Sequence, residues 1–108
     1  MKVSKYTSQE EKMAAFAKAL GHPARIAILN FLAQQDQCFF GDIEEILPIA
    51  KATVSQHLTE LKNVGLIQGN ISGARTKYCI NCEAWQEART LFDQLFICCK
   101  KGSSCCNS

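Results

Sequence analysis

The chain has 108 residues, 47% of them hydrophobic, and a formal net charge of +2 at pH 7. This length corresponds to one small domain, which buries a modest fraction of its surface and would gain stability from a second copy. The sequence contains neither an apolar run of about 18 residues nor the pattern of a signal peptide, so we expect a cytoplasmic protein without a membrane segment.

The charge is distributed unevenly along the chain. Residues 34–50 sum to −4, residues 51–81 to +3 and residues 82–108 to zero. A basic segment between acidic and neutral ones is compatible with a local contact to phosphate groups, whereas a protein that coats nucleic acid would be basic throughout.

Three segments in the N-terminal half have the apolar spacing of helices. We predict helices over residues 8–20, 23–34 and 43–47. Ser8 is a suitable N-cap for the first helix, and the second begins with proline, which is favoured in a first turn. Pro48 ends the short third helix because the residue before a proline is disfavoured in helical conformation.

The C-terminal half begins with a fourth helix over residues 51–63, whose apolar positions lie on one stripe and whose polar positions face the other way. Residues 66–71 and 76–80 have the composition of two strands around a turn, so they predict a hairpin. A last helix with a wide apolar face runs from residue 83 to about residue 99.

Two short helices followed by a hairpin form the winged helix-turn-helix plan, here mainly α with five helices and a two-stranded wing. In that plan the second helix of the pair enters the major groove, where polar side chains read base edges, and cationic wing residues contact phosphates. Spacing alone is equally compatible with ordinary solvated side chains. The candidate DNA-binding residues are Lys51, Thr53, Ser55, Gln56 and His57 on the fourth helix, and Arg75 and Lys77 in the hairpin.

Three segments closely resemble the ArsR-type family of metal-responsive repressors. They are His22 to Leu29 (HPARIAIL), Ala52 to Leu58 (ATVSQHL) and Leu61 to Ile67 (LKNVGLI), in the family's order and spacing. The resemblance spans roughly residues 10–97. It implies a homodimer formed by the first and last helices, which binds a two-fold operator and leaves it when an inducer binds.

The sequence departs from the family pattern at three places. Ala50 stands where many members have a serine that caps the recognition helix. Residues 39–43 read FFGDI, so the Cys-x-Cys of the arsenic site in the third helix is missing. Residues 83–97 contain no histidine, so the zinc site of the last helix is missing as well.

Four cysteines near the C-terminus are the strongest chemical cluster: Cys98, Cys99, Cys105 and Cys106. Thiolates are soft ligands that favour thiophilic ions, and the Gly-Ser-Ser connector lets the two pairs converge. Some relatives sense trivalent arsenic or antimony through an adjacent pair and a third cysteine, a pattern that this segment resembles; it implies Cys98, Cys99 and Cys105 as ligands. A four-thiolate zinc or cadmium site and a tail of incidental thiols remain alternatives.

The other three cysteines carry weaker signals. Seven cysteines are an odd number and two pairs are adjacent, so we expect reduced, metal-binding or redox-active thiols rather than a disulfide framework. A small buried hydrophobic side chain is the simpler interpretation of Cys38; a reversible bridge to Cys98 or Cys99, as in relatives that sense persulfides or oxidants, is the alternative. We do not expect a metal at the CxxC formed by Cys79 and Cys82.

Together these features predict a transcriptional repressor with a DNA-binding and dimerisation domain over residues 1–97 and a sensor tail over residues 98–108. No cofactor is expected for DNA binding itself. No nucleophile, base and orienting residue form a recognisable set and no glycine-rich phosphate loop is present, so we do not expect an enzyme. A module that binds another protein is the alternative of a different class.

Overall fold

The computed structural model describes residues 5–35, 38–70 and 77–97. Within them the chain forms four α-helices, a short 3-10 helix and one three-stranded antiparallel sheet. In chain order the elements are α1 (Ser8–Leu20), α2 (Pro23–Ala33), β1 (Phe39–Phe40), the 3-10 helix (Ile43–Glu45), α3 (Lys51–Asn63), β2 (Ile67–Asn70), β3 (Lys77–Ile80) and α4 (Cys82–Leu95).

The core lies where the helices meet the inner face of the sheet. Its most fully buried side chains are Ile28, Ile43, Leu58, Leu61 and Ile67. They come from α2, the 3-10 helix, α3 and β2, so one cluster holds the helix pair α2 and α3 against the start of the hairpin. Each fully buried aliphatic side chain of this kind contributes about 1.5–3 kcal/mol of transfer free energy.

The winged helix-turn-helix and its antiparallel hairpin are present as predicted, and α3 has the predicted bounds. The predicted number of helices was wrong. The segment expected as a third helix is a single 3-10 turn, because only a few residues separate Gly41, whose φ is +128°, from Pro48. The N-cap of α1 is Thr7 rather than Ser8, in a capping box with Glu10.

The sheet has a third strand that the sequence did not predict. β1 pairs with β3, with Phe40 opposite Lys77 and Phe39 opposite Tyr78, so β3 is the central strand of the order β1, β3, β2. On the other side of β3, Gly69 approaches Tyr78 so closely that a Cβ at residue 69 would overlap the Lys77 carbonyl.

The last helix is fixed to the segment that follows α3. The indole N–H of Trp85 donates to the Leu66 carbonyl oxygen at 3.0 Å, and the Asn81 backbone N–H donates to the same oxygen at 3.1 Å. The Asn81 side chain also caps α4 by accepting from Ala84. In the part of the chain described, no helix is long and apolar enough to cross a membrane.

Candidate nucleic-acid interface

Helix α3 has one buried face and one exposed polar face. Val54, Leu58 and Leu61 are 3% exposed or less, whereas Lys51, Thr53, Ser55 and Gln56 are exposed. The apolar contacts with α2 and β2 therefore fix the rotation of the helix about its axis. Four of the five predicted DNA-binding residues of this helix lie in its first two turns on the solvent side.

The first turn of α3 has no side-chain cap. Ala50 occupies the N-cap position and makes no side-chain hydrogen bond, as the sequence indicated. The Thr53 hydroxyl donates to the Ala50 carbonyl oxygen at 2.8 Å. Because that donor is already used, the Thr53 oxygen can act towards a base edge as an acceptor only, which restricts its partners to the amino groups of cytosine and adenine.

His57 does not belong to the exposed face, so its prediction as a DNA-facing residue was wrong. Its side chain is 6% exposed, and its Nδ1 accepts a hydrogen bond of 3.0 Å from Nε of Arg25. The sequence did contain the signal, because residue 57 lies three positions after Val54 and therefore falls on the apolar stripe. A histidine there packs as a core residue.

Arg25 joins three helices through this contact. It lies in α2, donates from Nε to His57 of α3, and donates from a terminal nitrogen to the Ala19 carbonyl oxygen at the end of α1, at 3.3 Å. A second, longer contact of 3.5 Å reaches the carbonyl oxygen of Lys18. A guanidinium with its fixed fork of donors suits this role, which a flexible ammonium could not fill in the same way.

Burial lowers the pKa of His57 below its ordinary value of 6.5, and the neighbouring His22 and Arg25 lower it further. The two imidazole rings lie 4.5 Å apart between centroids. His22 also caps α2, since its Nδ1 accepts from the Ala24 N–H at 3.0 Å. The contact between α2 and α3 thus depends on a neutral His57 whose Nδ1 is an acceptor.

Among the described residues, the wing contributes one cationic side chain, that of Lys77. Lys77 is exposed at the start of β3, and its Nζ lies 5.7 Å from the ring centroid of Phe40, which is itself 60% exposed on β1. The sequence did not indicate Phe40, because its role depends on the unpredicted β1–β3 pairing. Arg75, the other predicted wing cation, lies outside the described residues.

The cysteines of the domain are arranged differently from the expectation. Cys38 and Cys79 form a disulfide, with 4.4 Å between their Cα atoms, whereas the sequence indicated a reduced, buried Cys38. The physical reason is the strand register: Phe39 is opposite Tyr78, which places Cys38 opposite Cys79. The alternative partners, Cys98 and Cys99, lie outside the described residues. Cys82 is free and exposed.

The predicted metal ligands lie outside the described residues: Cys98, Cys99, Cys105 and Cys106. Within residues 5–35, 38–70 and 77–97, no group of three or more His, Cys, Asp or Glu side chains could hold a metal ion. The C-terminal sensor therefore stays a prediction, and the described domain offers no competing metal site.

Comparison with known proteins decides the family. Residues 22–68 match the family model described as "Bacterial regulatory protein, arsR family". The chain is 34% identical over 74 residues to the HTH-type transcriptional regulator YgaV of Escherichia coli, covering 68% of this chain and 75% of that protein. The chain belongs to the arsR family of bacterial regulatory proteins.

One further relative and one solved structure are similar to the chain. The chain is 31% identical over 68 residues to the cadmium resistance transcriptional regulatory protein CadC of Listeria innocua, covering 63% of this chain and 57% of that protein. An ArsR-like transcriptional regulator from Rhodococcus superposes with a TM-score of 0.62 at 22% identity, covering 93% of this chain and all of that one. This likeness shows the fold of an ArsR-like transcriptional regulator. The family to which the chain belongs consists of transcriptional regulators and not of enzymes.

The stability of the domain should decrease on mild acidification because of His57. Since burial lowers its folded-state pKa, the unfolded chain binds the proton first. The contribution of neutral His57 is thus fully present above pH 6.5 and is lost as the pH falls from 6.5 through the lowered value. We expect the urea concentration at the unfolding midpoint to be lower at about pH 5.5 than at about pH 7.5.

His57→Gln is the matched control, because the amide oxygen can accept from Arg25 but does not titrate. The midpoint of this variant should change less over the same pH interval than that of the original protein. Parallel changes in both proteins would show that His57 is not the titrating group.

Proposed function

We propose that the protein is a homodimeric repressor that binds operator DNA through α3 and the wing and is released by trivalent arsenic or antimony bound to the C-terminal thiolates. The DNA-binding part rests mainly on one observation, the exposed polar face in the first two turns of α3. That face carries Lys51, Thr53, Ser55 and Gln56, while the opposite face is locked into the core. A helix with this division fits the major groove.

The wing supports the same role. β3 pairs with β2, the strand that follows α3, so Lys77 is attached to the recognition helix through a short hydrogen-bonded ladder. Arg75 is proposed as a second wing cation. Phosphate contacts from such residues add affinity for any sequence, whereas Gln56 and its neighbours choose between base pairs.

Gln56→Ala separates sequence choice from general affinity. A glutamine that reads a base contributes about 1–3 kcal/mol to the free energy of discrimination against the wrong base. We therefore expect the variant to bind a duplex selected from a random library about 5–150-fold more weakly, with little change for unselected DNA. Lys51→Ala should weaken both duplexes and lower the salt slope by about one. Fluorescence anisotropy over a salt series measures both effects.

Lys62→Ala is the control for these variants, because it removes an exposed cation from the last turn of the same helix. Its affinity should stay close to that of the original protein. If Gln56→Ala binds selected DNA unchanged, α3 is not the reading helix, and the alternative of a protein-binding module gains support.

The dimer is proposed on the exposed apolar end of the α1–α4 pair. Leu95, Phe96 and Ile97 are 57%, 63% and 47% exposed, and Tyr6, just before α1, is 67% exposed. Ser8 and Gln94 line one cavity, so the start of α1 lies beside the end of α4. Large apolar side chains concentrated at one place are typical of an interface.

Phe96→Glu should convert the dimer to a monomer, because the new carboxylate would be buried without a partner in the interface. Sedimentation velocity at micromolar concentration measures the change. Ile46→Glu is the matched control, since Ile46 is 54% exposed at the end of the 3-10 helix, outside α1 and α4, and should leave the dimer intact. A dimer that survives Phe96→Glu would place the interface elsewhere.

The proposed inducer site takes Cys98, Cys99 and Cys105 as ligands of a trivalent ion, with Cys106 as a fourth thiol. The thiophilic character of these side chains supports the proposal. The similarity to CadC, a cadmium resistance regulator, keeps a divalent soft ion such as cadmium or zinc as a second candidate, for which four thiolates are suited.

A path from this site to the DNA interface runs along α4. The cysteine pair follows the helix closely in sequence, and Trp85 of the same helix donates to the carbonyl of Leu66, three residues beyond the end of α3. A ligand that changes the packing of α4 therefore acts on the base of the recognition helix. A coupling of about 1–3 kcal/mol lowers DNA affinity about 5–150-fold.

Arsenite titrated into the reduced protein–DNA complex should release the DNA, as followed by fluorescence anisotropy. Cys98→Ser with Cys99→Ser should abolish the release without weakening DNA binding in the absence of arsenite; Cys82→Ser is the control and should keep the response. Release by cadmium alone, or by polysulfide alone, would instead assign the divalent-ion or the thiol redox alternative.

A further inference from the structure

A second group of cysteines, separate from the C-terminal four, lies within the folded domain. The Cys38–Cys79 disulfide and the free Cys82 line the same cavity, of about 340 Å³, together with Leu32, Ala33, Gln35, Ile80 and Trp85. Cys82 is exposed and is the first residue of α4, three positions after Cys79. A disulfide and a free thiol therefore share one opening to solvent.

We propose that Cys38, Cys79 and Cys82 form a thiol–disulfide exchange centre in which Cys82 is the attacking thiol. Disulfide exchange requires an accessible thiol that can reach a disulfide sulfur, and the shared cavity provides such an approach. The proposal concerns the domain core and does not depend on the inducer bound by the C-terminal cysteines.

The exchange needs no external oxidant. Cys82 loses its proton, and its sulfur attacks Sγ of Cys79; the Cys79–Cys82 bond forms as the Cys38–Cys79 bond breaks. Cys38 leaves as a thiolate and takes up the proton that Cys82 released. Attack on Sγ of Cys38 is the mirror reaction, which forms Cys38–Cys82 and frees Cys79. One disulfide is present before and after, so the chain is isomerised and neither oxidised nor reduced.

The consequence is structural. The Cys38–Cys79 bond holds β1 to the central strand β3, just before the Phe40–Lys77 pair. β1 has only two residues. When Cys82 replaces Cys38 in the bond to Cys79, β1 keeps its ladder hydrogen bonds but loses its covalent tie to the strand that carries Lys77. The position of the disulfide thus determines whether β1 is covalently tied to β3, the strand that carries Lys77.

Trapping the released thiol tests the exchange. All four C-terminal cysteines are replaced by serine in the full-length chain, the Cys38–Cys79 form is purified, and limiting N-ethylmaleimide is added under native conditions without any other thiol. After an acid quench, tryptic peptides are analysed by mass spectrometry. Cys38 lies in the peptide 26–51, whereas Cys79 and Cys82 share the peptide 78–89.

Exchange predicts labelled Cys38 together with a peptide 78–89 that contains an internal disulfide, or, for the mirror reaction, labelled Cys79 and a 26–51 peptide linked through Cys82. The Cys82→Ser variant should give neither label, because nothing remains to open the disulfide. Since Cys82 is exposed, this variant keeps the core.

Two results would overturn the proposal. The first is label confined to Cys82, with Cys38–Cys79 intact at every time point. The second is labelling of Cys38 at the same rate in the Cys82→Ser variant, which would mean that the disulfide opens by another route.

Discussion

The hydrogen bond between Arg25 and His57 is the constraint on which the DNA-binding half of the molecule depends. It is partly buried, and it connects the helix that carries the polar reading face to α2 and, through the same guanidinium, to the end of α1. A hydrogen bond to a charged donor is worth about 1.5–3 kcal/mol, as much as the burial of one aliphatic core side chain. It also requires a neutral imidazole, a state that the burial of His57 and the neighbouring His22 and Arg25 favour by lowering its pKa.

This constraint gives α3 a fixed orientation without using its exposed side chains. The apolar stripe fixes the rotation of the helix, and the Arg25 contact fixes its position along α2. Thr53 and Gln56 are exposed and can therefore be exchanged without loss of core contacts. Packing uses one face of the helix, and the proposed recognition uses the opposite face.

The sequence was sufficient to predict the elements that depend on the pattern of neighbouring residues. It was insufficient for the elements that depend on contacts between distant parts of the chain. The bounds of α3 followed from its apolar period, and the hairpin followed from two strand-like segments around a Gly-containing turn. β1 could not be predicted in the same way, because a two-residue strand has no period and exists through its pairing with β3, about forty residues later. The Cys38–Cys79 bond depends on that register. His57 was misplaced for a different reason: its polarity was given more weight than its position on the stripe.

The two groups of cysteines differ in their place in the chain and in the chemistry proposed for them. Cys38 and Cys79 are opposite each other on paired strands, where the backbone fixes their distance and favours a bond between the two sulfurs. The C-terminal pairs are separated in sequence by the five residues 100–104 and lie outside the described residues. A pair of bonded strands favours disulfide chemistry, whereas the ion site proposed for the C-terminal pairs rests on the affinity of thiolates for thiophilic ions. Cys82 is the first residue of α4, and Trp85 of the same helix donates to the Leu66 carbonyl, so a change in the bonding of Cys82 acts close to the contact between α4 and the segment that follows α3.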